Sequence, residues 1–241
     1  MHRTRPLNEA ELTGRADTHV ETLVAGQRLQ APVIDAFNAL RADARAAGFE
    51  LAVASGYRSF ARQCAIFNAK LTGARPTYDD EDRPVDVGAL TARQALAAVL
   101  RYSAMPGASR HHWGTDLDVY DASAIPADYD VRLTPGEVHP QGVFGPLHAW
   151  LDERMAAGAS HGFYRPYAID RGGVAPERWH LSYAPLSIAC EAQLSESVLR
   201  RCWDAAGELR LRSELESNLT ALWRQYIAVA PGWCPAQPSP L

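Results

Sequence analysis

Residues 107–121, GASRHHWGTDLDVYD, place His111 and His112 on one side of Gly114 and Asp116, Asp118 and Asp121 on the other. After the glycine, Thr115, Leu117 and Val119 alternate with Asp116, Asp118 and Tyr120, which is the period of a strand with one apolar and one polar face. Taken alone, such a cluster also fits a solvated loop with turn-capping aspartates. A metal ion makes a stricter demand, because each ligand must come within about 2 Å of it. Fully extended, residues 111 to 118 would stand roughly 23 Å apart at ~3.3 Å per residue. If His111 and Asp118 share an ion the chain turns between them, and Gly114 is placed to let it.

The surrounding pattern supplies a frame for that turn. PVIDAFNALRADARAAG, 32–48, puts Val33, Ile34, Phe37, Leu40, Ala44 and Ala47 on one helical stripe, with proline near the start and glycine at the end. FELAVASGYRS then alternates as a strand through Phe49, Leu51 and Val53 before Ser55-Gly56 breaks it. A second helix is expected over SFARQCAIFNAKL, a long polar loop over 72–88, and a third helix over LTARQALAAVLRYSA with Thr91 as its N-cap. PLHAWLDERMAAGASHG predicts a helix ending at Gly162, and WHLSYAP a short strand. Two helical patterns follow near 187–206 and 207–229, and the tail PGWCPAQPSPL reads as irregular. No internal repeat and no regular βαβ alternation is present, so the fold class expected is α+β: a small antiparallel sheet, helices packed around it, the site at the sheet, and extra helices at the C-terminal end.

Composition removes several function classes. The 241 residues are 47% hydrophobic and 22% charged, with a net charge of −4, so no basic footprint for nucleic acid exists. The N-terminal MHRTRPLNEAELTGRADTHVE lacks the apolar core of a secretory signal, and no segment approaches the ~20 apolar residues of a membrane span. As written, the expectation is a cytoplasmic protein, or a periplasmic one if translation starts elsewhere. Cys64, Cys190, Cys202 and Cys234 form no CxxC pair and read as buried thiols; Cys190 and Cys202 are the two that an exported protein could bridge. The acidic loop residues Asp79, Asp80, Glu81, Asp82 and Asp86 lack the spacing of a calcium loop and read as solvated.

A catalytic zinc takes three protein ligands and leaves one position open. His111 and Asp118 supply two candidates, and His180 in PERWHLSY, with Glu177 three residues before it, is the natural third. HExxH is absent, which excludes the helical zinc proteases.

SRHHWGTDLDV resembles the S-x-H-x-x-G-x-A-x-D signature of the LAS metallopeptidases, the zinc D-alanyl-D-alanine carboxypeptidases and dipeptidases of the VanY and VanX type. ERWH is similar to their E-x-W-H, and SGYRSFARQ to the segment that precedes both. Three motifs in order over residues 55–183 are far more specific than any one of them. The resemblance implies one Zn2+ per chain held by His111, Asp118 and His180. It makes Glu177 the catalytic base and Arg58 the residue that stabilises charge on the scissile carbonyl, with Ser109 and Gln63 helping to hold substrate. Asp116 stands where the pattern has alanine. Spacing favours Asp118 as ligand and Asp116 as a partner behind it that orients an imidazole.

The implied activity is hydrolysis of a peptide bond next to a D-amino acid in a peptidoglycan stem peptide. L,D-carboxypeptidase, D,D-dipeptidase and endolysin-type endopeptidase activities share the ligand set, and a non-catalytic peptidoglycan-binding module is the rival from another class. The implied domain plan is a peptidase unit over 1–185 with a helical extension, 186–241, packed on it. A serine D,D-peptidase is excluded, because Lys70 is the only lysine and Phe67 stands three positions before it. His112 and Trp113 are candidates for the cleft wall, although Trp113 and Trp179 suit packing equally. His139, His148 and His161 read as structural or solvated, and FYRPY with DRGGV as a rim.

Overall fold

In the computed structural model, which describes residues 5–23 and 26–229, the chain opens with a single-turn helix, α1 (Glu9–Leu12). Asn8 accepts from Glu11 N while the Glu11 carboxylate accepts from Asn8 N, a capping box that satisfies two orphan donors. A short hairpin, β1 (Glu21–Thr22) with β2 (Arg28–Leu29), leads into α2 (Ala31–Ala46), which buries Val33, Phe37, Leu40 and Ala44 of the expected stripe. Next come β3 (Leu51–Ser55), α3 (Phe60–Leu71) capped by Ser59, and α4 (Ala92–Leu100) with its own Thr91–Gln94 capping box. Between α3 and α4, the loop expected over 72–88 is irregular except for a bridge between Tyr78 and Pro84 and the start of a short turn, Val87–Ala89.

The second half supplies the sheet. β4 (Asp116–Asp121) is followed by α5 (Pro135–Val138), α6 (Gly145–Ala156), β5 (Phe163–Tyr164) and β6 (His180–Tyr183). The strands form one antiparallel sheet in the order β3-β4-β6-β5. Leu117 pairs with Leu181, and together with Val119 and Leu51 they pack against Phe37 and Leu40 of α2 and Leu147 and Leu151 of α6. This covers one face of the sheet.

Two helical expectations need correction. The α6 helix stops at Ala156 rather than reaching Gly162, because Gly158, His161 and Gly162 all take positive φ and no α-helix continues through them. The two long C-terminal patterns are broken into α7 (Ala184–Gln193), α8 (Glu196–Asp204), α9 (Arg212–Ser217) and α10 (Leu219–Leu222), then a π-helical turn over Trp223–Ile227. Ser195 makes the first break by capping Val198 N, and Leu211 in the left-handed region makes the next. Phe67, Leu96 and Trp113 share one apolar core with Leu199, Trp203 and Leu215. The helices beyond residue 185 therefore close a core that the earlier ones begin. Cys64, Cys190 and Cys202 are free, buried thiols, so the bridge left open for Cys190 and Cys202 is not made. Cys234 and the tail 231–241 lie outside the described residues. Among the described residues no helix is long and apolar enough to cross a membrane.

Candidate metal centre

The other face of the sheet is polar, and its Asp116, Asp118, His180 and Ser182 are buried as well. Asp118 lies directly opposite His180 across the β4/β6 ladder, and Asp116 opposite Ser182. Directly opposed residues of an antiparallel pair hold their Cβ atoms about 5 Å apart, so the ladder register alone brings Asp118 and His180 together. His111 arrives by a different route, on a single 3-10 turn, Arg110–Trp113, which Gly114 ends at φ 65 and ψ 18. A Cβ on Gly114 would meet Val20 at 2.3 Å, so both the backbone angle and the space demand glycine.

His111, Asp118 and His180 are all buried and offer one ligand atom each within 4.8 Å of one another, the only such group among the described residues. His111 Nδ1 lies 2.8 Å from the Gly56 carbonyl and donates to it, which leaves Nε2 to face Asp118 at 3.3 Å. His180 Nε2 lies 2.9 Å from Asp116 Oδ2, which turns Nδ1 toward Asp118 at 3.2 Å. Each imidazole thus has its outer nitrogen held and its inner one presented, the arrangement that fixes metal-binding histidines.

The donor set fits zinc, two imidazole nitrogens and a carboxylate. Asp118 Oδ1 is buried with His180 Nδ1 3.2 Å away but no well-aligned hydrogen bond, an acceptor that a cation would satisfy. Electrostatics agree. Burial opposes charge on Asp118 and Asp116, yet His111 and His180 beside the first, and Arg110 and His180 beside the second, hold both carboxyls well below the usual range. Burial likewise disfavours a charged His180, but the two aspartates outweigh it and lift the ring to about 10. The pocket favours positive charge.

Glu177 approaches from the strand's entry, with Oε2 3.6 Å from His180 Nδ1. Burial, with the Asp118 charge adding to it, pushes its carboxyl up to about 7 against the pull of His180, Arg58 and Lys70. A carboxyl tuned there can take and return a proton near neutrality. Arg58 donates to Gln63 Oε1 at 2.8 Å and Ser55 Oγ at 2.9 Å, with Asp118 Oδ2 at 3.9 Å. These groups, apart from Gln63 and Ser55, line a cavity of about 210 Å³ together with Ser109, Lys70, Tyr167 and Trp179.

The remaining candidates separate. Ser109 reaches the cavity with its hydroxyl buried and unpartnered. Gln63 is fully buried behind Arg58 and donates to the Ala104 carbonyl at 2.6 Å, so it meets Arg58 rather than the cavity wall. His112 and Trp113 lie off the cavity as well: His112 Nε2 accepts from Gly107 N and Nδ1 donates to Arg58 O, while Trp113 donates to Leu12 O. His148 is buried beside Arg165 and His161 pairs with Asp43. Tyr167 and Val174, from the two expected rim segments, do line the cavity. Sequence reasoning missed Lys70 as a wall residue and Arg110 as the cation behind Asp116. A buried aspartate on a strand demands a positive partner, and that signal pointed to an arginine nearby.

Comparison with known proteins places these observations in a family. The profile of VanY, D-alanyl-D-alanine carboxypeptidase, matches residues 26–186. A protein of Haemophilus influenzae described as uncharacterized is 33% identical over 123 residues, 50% of this chain and 90% of that protein. A D-alanyl-D-alanine carboxypeptidase of Enterococcus faecalis is 31% identical over 180 residues, 72% of this chain but 54% of that protein's length. Among solved structures, a Zn(II) complex of a mutant vancomycin-resistance D,D-pentapeptidase VanY superimposes with a TM-score of 0.52 at 26% identity, covering 82% of this chain and 95% of that one.

Proposed function

Because the chain belongs to the VanY family of D-alanyl-D-alanine carboxypeptidases, we propose that it is a zinc-dependent hydrolase of a peptide bond next to a D-amino acid in a peptidoglycan stem peptide. One observation carries this reading: His111, Asp118 and His180 converge within 4.8 Å at the wall of a cavity that Glu177 and Arg58 also line. The Zn(II) in the related VanY supports the choice of metal, and the Enterococcus relative supports the substrate class.

In this reading His111 Nε2, Asp118 and His180 Nδ1 hold the ion. Bound there, zinc supplies Lewis acidity, making water a nucleophile near neutral pH and polarising a carbonyl. Glu177 takes the proton of the attacking water on its carboxylate, which its raised pKa near 7 suits, and then delivers it to the leaving amine. Arg58 stays cationic, although burial lowers its pKa, and turns toward the charge that develops on the carbonyl oxygen. Gln63 and Ser55 hold that guanidinium in place, so Gln63 acts through Arg58. Ser109 offers the substrate a hydroxyl that nothing else engages. The peptidase unit spans 1–185, and the C-terminal helices are an extension packed on it.

The test is metal analysis of the purified protein with an assay of D-Ala-D-Ala dipeptide, stem tetrapeptide and stem pentapeptide. One zinc per chain and release of D-alanine from the pentapeptide are expected, both lost in chelator and restored by zinc. Cleavage of the tetrapeptide or dipeptide alone would move the reading to an L,D-carboxypeptidase or a D,D-dipeptidase. A folded protein that takes up no zinc and cleaves nothing would overturn it in favour of a binding module.

A further inference from the structure

We propose that Arg110 is a positioning residue for the metal centre: acting through Asp116 it fixes the ring of His180, and through Glu191 it ties that setting to helix α7. The proposal rests on the reading of His180 as a ligand. Arg110 is buried, its side chain 2% exposed, and nearly every N–H of its guanidinium is assigned. Nε donates to Asp116 Oδ2 at 2.8 Å, Nη1 to Glu191 Oε2 at 3.0 Å, and Nη2 to both Tyr164 Oη at 2.8 Å and Ser182 Oγ at 2.9 Å. The plane stacks on the Trp113 ring at 4.7 Å.

The consequence lies in Asp116, whose side chain is fully buried. Its Oδ2 is shared between Arg110 Nε and His180 Nε2, while Oδ1 accepts from Thr115 and Ser182. Four partners leave that carboxylate no freedom to rotate, and the one that touches the candidate centre is His180. Without the guanidinium, a buried negative charge would lose its compensating cation, and the oxygen that orients His180 would turn toward whatever water replaced it. Lysine cannot substitute, because one ammonium with three donors does not reach these acceptors as a planar fork does. Arg110 sits just before His111 on the 3-10 turn, and Asp116 occupies the position at which the family signature carries alanine. The signature leaves the position of Arg110 open, and here it carries the cation that Asp116 requires. Glu191 lies on α7, beyond the residues that match the family profile, so this ion pair connects the extension to the centre.

The test is zinc affinity measured by chelator competition well below the melting temperature, alongside the solvent-exchange protection of the His180 Nε2–H proton, which Asp116 accepts, in the metal-free protein. Arg110→Met should weaken zinc about 10- to 100-fold, the range for losses behind a metal ligand, and should open the His180 Nε2–H proton to exchange. Arg110→Lys and Glu191→Ala should lose less in the same direction. The double variant Arg110→Met/Asp116→Ala removes both charges, keeps the fold when the single variant does not, and should bind zinc no more weakly than Asp116→Ala alone, because the two act along one path. A folded Arg110→Met with wild-type zinc affinity and unchanged exchange protection of His180 Nε2–H would overturn the proposal, as would additive losses in the double variant. If the wild-type protein binds no zinc, the metal reading fails instead, and the exchange protection of His180 Nε2–H in Arg110→Met still decides the role of Arg110.

Discussion

Strands β4 and β6 close two faces against water by opposite means. Leu117, Val119 and Leu181 on one face and Asp116, Asp118, His180 and Ser182 on the other are all at most 4% exposed. On the first face each leucine contributes about 1.5–3 kcal/mol through removal of apolar surface from water, and substitutions there act on stability. On the second, desolvation of the ions consumes most of what their attraction returns. An apolar layer of similar volume would serve stability as well. The polar face is therefore a functional investment that the apolar face carries, and the two should respond independently to mutation.

The largest expected separation is at Asp118. Asp118→Ala removes the carboxylate between the two imidazoles, so zinc should fall to background and hydrolysis of the pentapeptide below detection, while circular dichroism stays native. Metal analysis after dialysis checks this; full zinc occupancy would mean that Asp116 is the carboxylate ligand and that the register is shifted. Next is Glu177→Gln, which keeps size and most hydrogen bonding but cannot accept a proton. We expect kcat and kcat/KM to fall together by ~10² to 10⁴ with zinc content and melting temperature held. Close to wild-type kcat would identify Glu177 as a structural acid.

The converse experiment is on the apolar face. Leu51 is fully buried in the core beneath the sheet, and Leu51→Ala should cost about 2–5 kcal/mol in urea denaturation. Specific activity at low temperature should be unchanged. A loss of zinc affinity comparable to that of Asp116→Ala would break the separation, since it would show that the apolar layer sets ligand geometry directly.

The same contrast explains what could be read from the chain alone. Alternation through Leu117 and Val119, the helical stripe from Val33 to Ala44 and the turn at Gly114 are local rules, and the structure follows them. His111, Asp118 and His180 were linked in sequence by motif and resemblance; the ladder register explains why Asp118 and His180 meet in space, and the 3-10 turn ended by Gly114 brings His111 to them. Contacts that depend on tertiary closure left weaker traces. Arg110 finds Glu191 across 81 positions, and no periodicity encodes that distance. Gln63, a substrate-holding candidate by resemblance, is drawn instead to the Ala104 carbonyl, since a buried amide must satisfy its donors. The C-terminal boundaries failed because apolar periodicity runs on past Leu194, while Ser195, a legible cap, restarts the helix.

The smallest expected effect tests whether buried carboxylates in this molecule always cost stability. Glu11 is fully buried like Asp116, but it lies away from the candidate centre, in α1, next to Leu12, whose carbonyl accepts from Trp113 Nε1. Arg5 is its main partner, burial opposes that pull, and Thr18 and the Asn8 amide add hydrogen bonds; together they bring the carboxyl down to about 2. A carboxyl depressed on folding stabilises the native state fully above its unfolded value near 4.5, and the contribution is lost as pH falls toward 2. Arg5 is 59% exposed, so screening by solvent reduces the gain to about 1 kcal/mol. Urea melts of wild type and Glu11→Gln should therefore differ by about that amount at pH 6 and converge as pH approaches 2. A gap that stays constant from pH 6 to pH 2.5 would show that packing, not ionisation, is what Glu11 supplies. The charge of Glu11 would then add no net stability, as at the face that carries the candidate centre.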